Sequence, residues 1–294
     1  MPYSYDIQVD FMRDWVEILR RKLSSWGYTL DPSLSPEEIS FRFFNVWRRL
    51  ILPIPRNILV SREFYCPLQL QSGLCILINK IKQGIDLTPH LSKKILEADY
   101  NDDLLNDWGI YHLHLGTTLD SSGFVNRTGP VLFARFDNSN AYLISVMGHG
   151  SWHKQELVRV IHRNWPDSIR RYRLSGISLE RKVSDDGIKR LRKAHVQSFV
   201  EVEPGVVYAP IGGGYATSGI GADVVKMTDY YFMRVRELEI YLKQNARKVV
   251  LHCEKNGLKL KNRLKFKMGT DFVEVNALEV NSRIWFSLGK WVCP

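Results

Sequence analysis

The spacing of apolar residues changes after the first third of the chain, and that change restricts the fold more than any single motif. Toward the N-terminus Ile7, Phe11, Trp15, Ile18, Leu19 and Leu23 recur at helical intervals. They form one apolar face of a helix and leave Arg20, Arg21 and Lys22 partly outward. Ser35-Pro36-Glu37-Glu38 has the form of a helix start. Ser35 suits the cap, Pro36 the first helical position, and Glu38 completes a capping box. The helix that follows is expected to turn Phe41, Phe44 and Trp47 inward. A third helix is expected over Gln69–Lys82, ended by Gly84, and a short fourth over Ser92–Ala98.

Beyond residue 100 the period shortens. Ile110-Tyr-His-Leu-His-Leu alternates polar with apolar, as a strand does. Ser121–Pro130 is turn-rich and reads as a loop. Val131–Phe136 and Ala141–Met147 are strand-like and flank Asp137-Asn-Ser-Asn, a run of turn formers. Trp152–His162 has helical spacing and stops before Pro166. Val206–Pro210 is a strand candidate. A long helix capped by Thr228 or Asp229 is expected through Leu242, and strands over Leu264–Met268, Phe272–Val275 and Arg283–Ser287. The expected class is α+β: a helical N-terminal region, then a mixed, largely antiparallel sheet core with flanking helices. Three regions are expected, 1–100, 101–200 and 201–294, the last packed with the second.

With 294 residues, 45% of them apolar and 12% aromatic, the chain can bury a large core. The net charge of +10 favours polyanionic partners: nucleic acid, or an acidic protein. The four cysteines, Cys66, Cys75, Cys253 and Cys293, lack zinc-ribbon spacing. Cys75, in Gly-Leu-Cys-Ile-Leu-Ile, reads as a buried free thiol suited to a reducing compartment. Met1-Pro-Tyr-Ser-Tyr-Asp lacks the basic and apolar regions of a secretory signal. No run approaches the ~20 apolar residues of a membrane span. The expected setting is therefore cytoplasmic, without membrane attachment.

Five of the eight histidines fall between 112 and 162: His112, His114, His149, His153 and His162. Imidazole is the side chain suited to proton transfer near neutral pH. On a strand, His112 and His114 share a face. His149 and His153 bracket Gly150, where the chain can turn sharply. Two chemistries fit. Histidines can supply the base and acid for attack of an RNA 2′-hydroxyl on its own phosphodiester, with Arg127, or alternatively Arg135, stabilising the phosphorane. Otherwise His112 and His114 are an H-x-H pair for zinc, completed by His149 or His153. Asp107 and Asp120 are the nearby carboxylates. Each histidine taken singly also has a structural reading, as a hydrogen-bonded or surface residue.

Downstream, Arg170, Arg171, Arg173, Lys189, Arg190, Arg192 and Lys193 form the strongest basic region, with Trp165 and Tyr172 available for stacking. The plain alternative is a solvated helix face. The glycine run Gly212–Gly221 matches neither G-x-x-x-x-G-K-[ST] nor G-x-G-x-x-G. It is read as a flexible turn, or less readily as an anion cradle.

The helical start, the basic antiparallel sheet, and the pairing of Val131–Phe136 with Ala141–Met147 before a glycine-containing turn resemble the small bacterial toxin ribonucleases of the RelE-like superfamily, over the middle segment alone. That resemblance implies a twisted antiparallel sheet acting on RNA. Ile110–Gly116 faintly resembles the H-x-H metal motif of amidohydrolases. The expected function is RNA cleavage by metal-independent acid–base catalysis without a cofactor. His112, His114, His149 and His153 are the proton carriers, Arg127 the phosphorane stabiliser, and Trp165 with the 170–193 cations the RNA surface. The alternatives are a non-catalytic nucleic-acid or protein-binding module, and a zinc-dependent hydrolase.

Overall fold

In chain order the elements of the computed structural model are β1 (Asp6–Val9), α1 (Phe11–Ser25), α2 (Pro36–Arg49), β2 (Asn57–Val60), α3 (Gln71–Gln83), α4 (Asp103–Trp108), β3 (Tyr111–His114), β4 (Val131–Phe136), β5 (Asn140–Met147), α5 (Glu156–Asn164), α6 (Pro166–Ile169), β6 (Arg173–Leu174), α7 (Asp185–Lys193), β7 (Val200–Glu203), β8 (Val206–Tyr208), α8 (Ala222–Lys255), β9 (Arg263–Thr270), β10 (Glu274–Glu279) and β11 (Ile284–Lys290). The structure describes residues 6–255 and 263–291, without the side chains of His252 and Cys253. The class is α+β. The strand pairs β1–β9 and β2–β5 are parallel, and the other pairings within the three sheets are antiparallel. Among the described residues no helix is long and apolar enough to cross a membrane.

Contacts divide the chain into two units, Met1–Phe44 with Lys226–Pro294, and Asn45–Val225. This grouping places residues from both ends of the chain in one unit. In the first unit the strand order is β1-β9-β10-β11. Asp10 accepts a hydrogen bond from Arg13 N at 2.9 Å, and so α1 starts after it. Ile7 therefore lies on β1 and not on the helix. Phe11, Trp15, Leu19 and Leu23 are fully buried. Trp15 stacks on Tyr231 with centroids 5.0 Å apart and meets Phe272 edge-on at 5.7 Å. On β9, Leu264, Phe266 and Met268 alternate inward, the period of a half-covered strand.

The capping box forms as expected: Ser35 N donates to Glu38 Oε2 and Glu38 N to Ser35 Oγ. The buried stripe of α2 is rotated from the expected one, however. Phe43, Phe44 and Val46 are buried, whereas Phe41 and Trp47 are half-buried. The long helix also starts earlier than Thr228, because Val224 N and Val225 N already bond to Gly221 O.

In the second unit the main sheet has the order β2-β5-β4-β3. Both faces are covered, which is why β4 and β5 carry continuous buried runs rather than clean alternation. One face packs Leu113, Leu132, Ala134 and Leu143 against Leu74, Leu77 and Ile81 of α3. The other packs Val131, Phe133 and Ile144 against Leu157, Val158 and Ile161 of α5, with Trp108, Ile188 and Tyr208. A small sheet, β6-β8-β7, belongs to this second side. The helix expected over Trp152–His162 is a single 3₁₀ turn, Ser151–His153, followed by α5. Between them Gln155 is held from outside: its N donates to Asp185 Oδ1 at 3.1 Å and its side-chain amide to Val183 O at 2.8 Å. Cys75 is exposed, not buried, because it lies on the outer side of α3, and Cys66 is half-buried. The Cys253 side chain and Cys293 lie outside the described residues.

A Cβ built on Gly73 of α3 would overlap the backbone carbonyl of Leu115. Alanine normally favours a helix over glycine by ~1 kcal/mol. Here the contact is backbone on both sides, so the clash decides the sign. Gly73→Ala is expected to destabilise the protein by about 1–3 kcal/mol in urea denaturation. A stabilised variant would contradict this packing of α3.

Candidate functional site

The site is assembled by β3 and the segments around it. Asp102 accepts from Leu105 N at 3.0 Å and starts α4. Gly109, at φ 61°, ends the helix in the left-handed region that favours glycine and releases the chain into β3. β3 is the edge strand of its sheet. His112 and His114 register with Phe133 and Val131 of β4, and so they project on the α5 side. After β5, Gly150 at φ 103° turns the chain into the 3₁₀ turn at Ser151–His153.

This turn brings His149 back to β3. The ring centroids of His112, His114 and His149 are 6.2, 6.4 and 6.0 Å apart, a nearly equilateral triangle. Trp152 lies 4.8 Å from His112 and 4.5 Å from His149. The Nδ1 atoms of His112 and His153 and both ring nitrogens of His114 are buried without a hydrogen-bond partner among the described residues. Buried polar atoms normally have partners, and these unpartnered ring nitrogens are concentrated in one place.

His112, His149, His153, Trp152 and Arg127 line a cleft of about 450 Å³. His114 lies behind this lining, 2% exposed. α7 contributes Lys189, Arg192 and Lys193. Among these Arg192 is buried, paired through Nε with Asp107 Oδ2 at 2.8 Å. The basic region read from the sequence therefore divides. Arg190 is exposed on α7 but does not line the cleft. Arg170, Arg171, Arg173 and Trp165 also lie outside its lining. Arg171 covers the Tyr172 ring at 4.8 Å, and Trp165 meets Tyr142 edge-on. Arg135, the alternative cation, donates to Ser168 O and lies elsewhere. His162 hydrogen-bonds the Tyr208 hydroxyl at 3.0 Å, away from the other four histidines. Asp120 pairs with Lys93 and accepts from its own loop, and these bonds hold its carboxyl well below the usual range.

Sequence reasoning missed Lys94, Tyr100, Asp102 and Asp103, which line the same cleft. The one local signal was Asn101-Asp102-Asp103 ahead of an apolar pair, a helix-capping pattern. The glycine run has a role different from either expected one. Gly212 N donates to Asp107 O and Gly214 N to Asn106 O, and a Cβ on Gly212 would overlap the Leu105 carbonyl. Arg48 reinforces the contact by bonding Asn106 Oδ1, Leu105 O and Gly212 O. The run is a tight seat for α4, and those amides are not free for an anion.

Burial is the main cause that lowers the pKa of both strand histidines. For His112, Asp102 opposes this, while His149 and Arg127 add to it. For His114, burial, then the neighbouring His112, Arg127 and His149, push the pKa to about 4. Both rings are therefore neutral near pH 7, able to accept a proton or bind a metal. Among the described residues no group of three or more His, Cys, Asp or Glu side chains is arranged to hold a metal ion. A scan against protein-family models and searches of curated proteins and of solved structures gave no match.

The depressed His114 pKa makes a pH prediction. In the unfolded chain this imidazole takes up a proton near pH 6.5, but in the folded state only near pH 4. Below pH 6.5 the unfolded state thus binds more protons, and stability falls as the pH drops toward 4, by on the order of 3 kcal/mol from this group alone. Denaturant melts between pH 7 and 4 are expected to show that slope, reduced in His114→Gln. An unchanged slope in the variant would place the effect elsewhere.

Proposed function

We propose that this protein is a ribonuclease that cleaves phosphodiesters by acid–base catalysis with its own side chains. The observation that supports this reading best is the meeting, in one cleft, of His112, His149 and His153 with Arg127 and the α7 cations. Its volume suits a nucleotide-sized group, and ligand clefts commonly span ~300–1,000 Å³.

In this mechanism the neutral His112 accepts the proton of a ribose 2′-hydroxyl, and the oxygen attacks phosphorus. The bond to the 5′-oxygen breaks, and a proton from His149 or His153 goes to that leaving oxygen. The products are a 2′,3′-cyclic phosphate and a free 5′-hydroxyl. Arg127 meets the charge that builds on the non-bridging oxygens. His114 sits behind His112, and its own ring is neutral near pH 7.

The test is cleavage of a fluorogenic RNA in EDTA. His112→Ala and His149→Ala are each expected to lower kcat/KM by about 100-fold or more, and Arg127→Ala by a similar factor. DNA lacks the 2′-hydroxyl and should survive. RNA left intact by the parent, with and without divalent metals, would overturn the proposal in favour of a binding module. Activity lost in EDTA and restored by zinc would overturn it in favour of a metal hydrolase.

A further inference from the structure

Arg192 is 5% exposed and held on three sides. Its Nε donates to Asp107 Oδ2 at 2.8 Å, its Nη1 donates to the Trp152 carbonyl, and its carbon centre lies 4.1 Å from the Trp108 ring centroid. Its remaining nitrogen, Nη2, is buried and has no hydrogen-bond partner among the described residues. Arg192 nevertheless belongs to the lining of the cleft. A buried guanidinium N–H without an acceptor is costly, and here the protein has not supplied one.

We propose that Arg192 is the phosphate anchor of the cleft, with Nη2 and its neighbours Lys189 and Lys193 receiving one phosphate of a single-stranded RNA. The inference rests on the ribonuclease reading for the identity of the strand, but it concerns binding and needs no turnover. Three points support it. The guanidinium is pre-oriented, so little side-chain freedom is lost when an anion arrives. Nη2 also carries two N–H donors on a permanently charged group, which suits a phosphate oxygen. Finally, the cleft as a whole is cationic: Lys94, Arg127, Lys189, Arg192 and Lys193 outnumber the carboxylates Asp102 and Asp103. Asp107 offsets part of the Arg192 charge, and Lys189 and Lys193 add positive charge beside it. Arg170, Arg171 and Arg173, outside the lining, have no part in this contact.

The experiment uses a labelled six-nucleotide 2′-O-methyl RNA, which cannot be cleaved by 2′-hydroxyl attack, and reads binding by fluorescence anisotropy. The parent should bind, and inorganic phosphate should compete. Arg192→Gln/Asp107→Asn removes the ion pair without leaving either charge alone. Arg192→Lys keeps a cation beside Asp107 and guards against misfolding. Circular dichroism checks both. Each folded variant is expected to bind at least tenfold more weakly. Unchanged affinity in a folded variant, or no binding by the parent, would overturn the inference and reduce Arg192 to a structural ion pair. Loss of binding in the variants, with no cleavage of unmodified RNA by the parent, would uphold the anchor while overturning the ribonuclease reading.

Discussion

The cleft depends on one ion pair taken out of water. Arg192 on α7 bonds Asp107 on α4 and the carbonyl of Trp152 in the turn after β5. Three segments far apart in sequence are thereby tied at one guanidinium. Desolvating both charges is expensive, and a buried pair often contributes little net stability against an apolar replacement. What it supplies here is placement. The same α4 is seated from behind by the glycine run and by Arg48, so the carboxylate that orients Arg192 is itself held.

The histidines follow from a second constraint, the position of β3. As an edge strand, β3 has one neighbour in its sheet, and its face toward α5 is only partly covered beyond the hydrophobic core. That leaves room for two imidazoles and for His149, returned by the turn at Gly150. The price of that room is burial of ring nitrogens without partners. Burial in turn keeps His112 and His114 neutral at a pH where a free histidine would be partly charged. The same burial, with Arg127 nearby, also makes these rings weaker bases than a free imidazole.

Local signals reported the parts of this arrangement that are local. The capping box at Ser35, the hairpin between Val131 and Met147, and the strand through His112 and His114 are readable because adjacent residues determine them. The buried stripe of α2 was not readable to within one position, since Phe41, Phe43 and Phe44 are equally apolar and tertiary packing chooses among them. Nor was the role of Gly212–Gly214. Glycines that seat a helix look, in sequence, like glycines in a loose turn, and only the proximity of α4 distinguishes them.

The sequence by itself determined the α+β class, the concentration of histidines, and the excess of positive charge, because periodicity and composition are properties of neighbours and totals. Only the tertiary structure decided which of those groups share a site. It joined His149 to the strand pair and added Lys94, Tyr100, Asp102 and Asp103. It also divided one basic stretch into cleft-facing Lys189, Arg192 and Lys193 and the outlying Arg170, Arg171, Arg173 and Arg190. The physical reason is distance. Charge and hydrogen bonding act over a few ångströms in space, and residues 85 positions apart, such as Asp107 and Arg192, come within that range only when the chain folds.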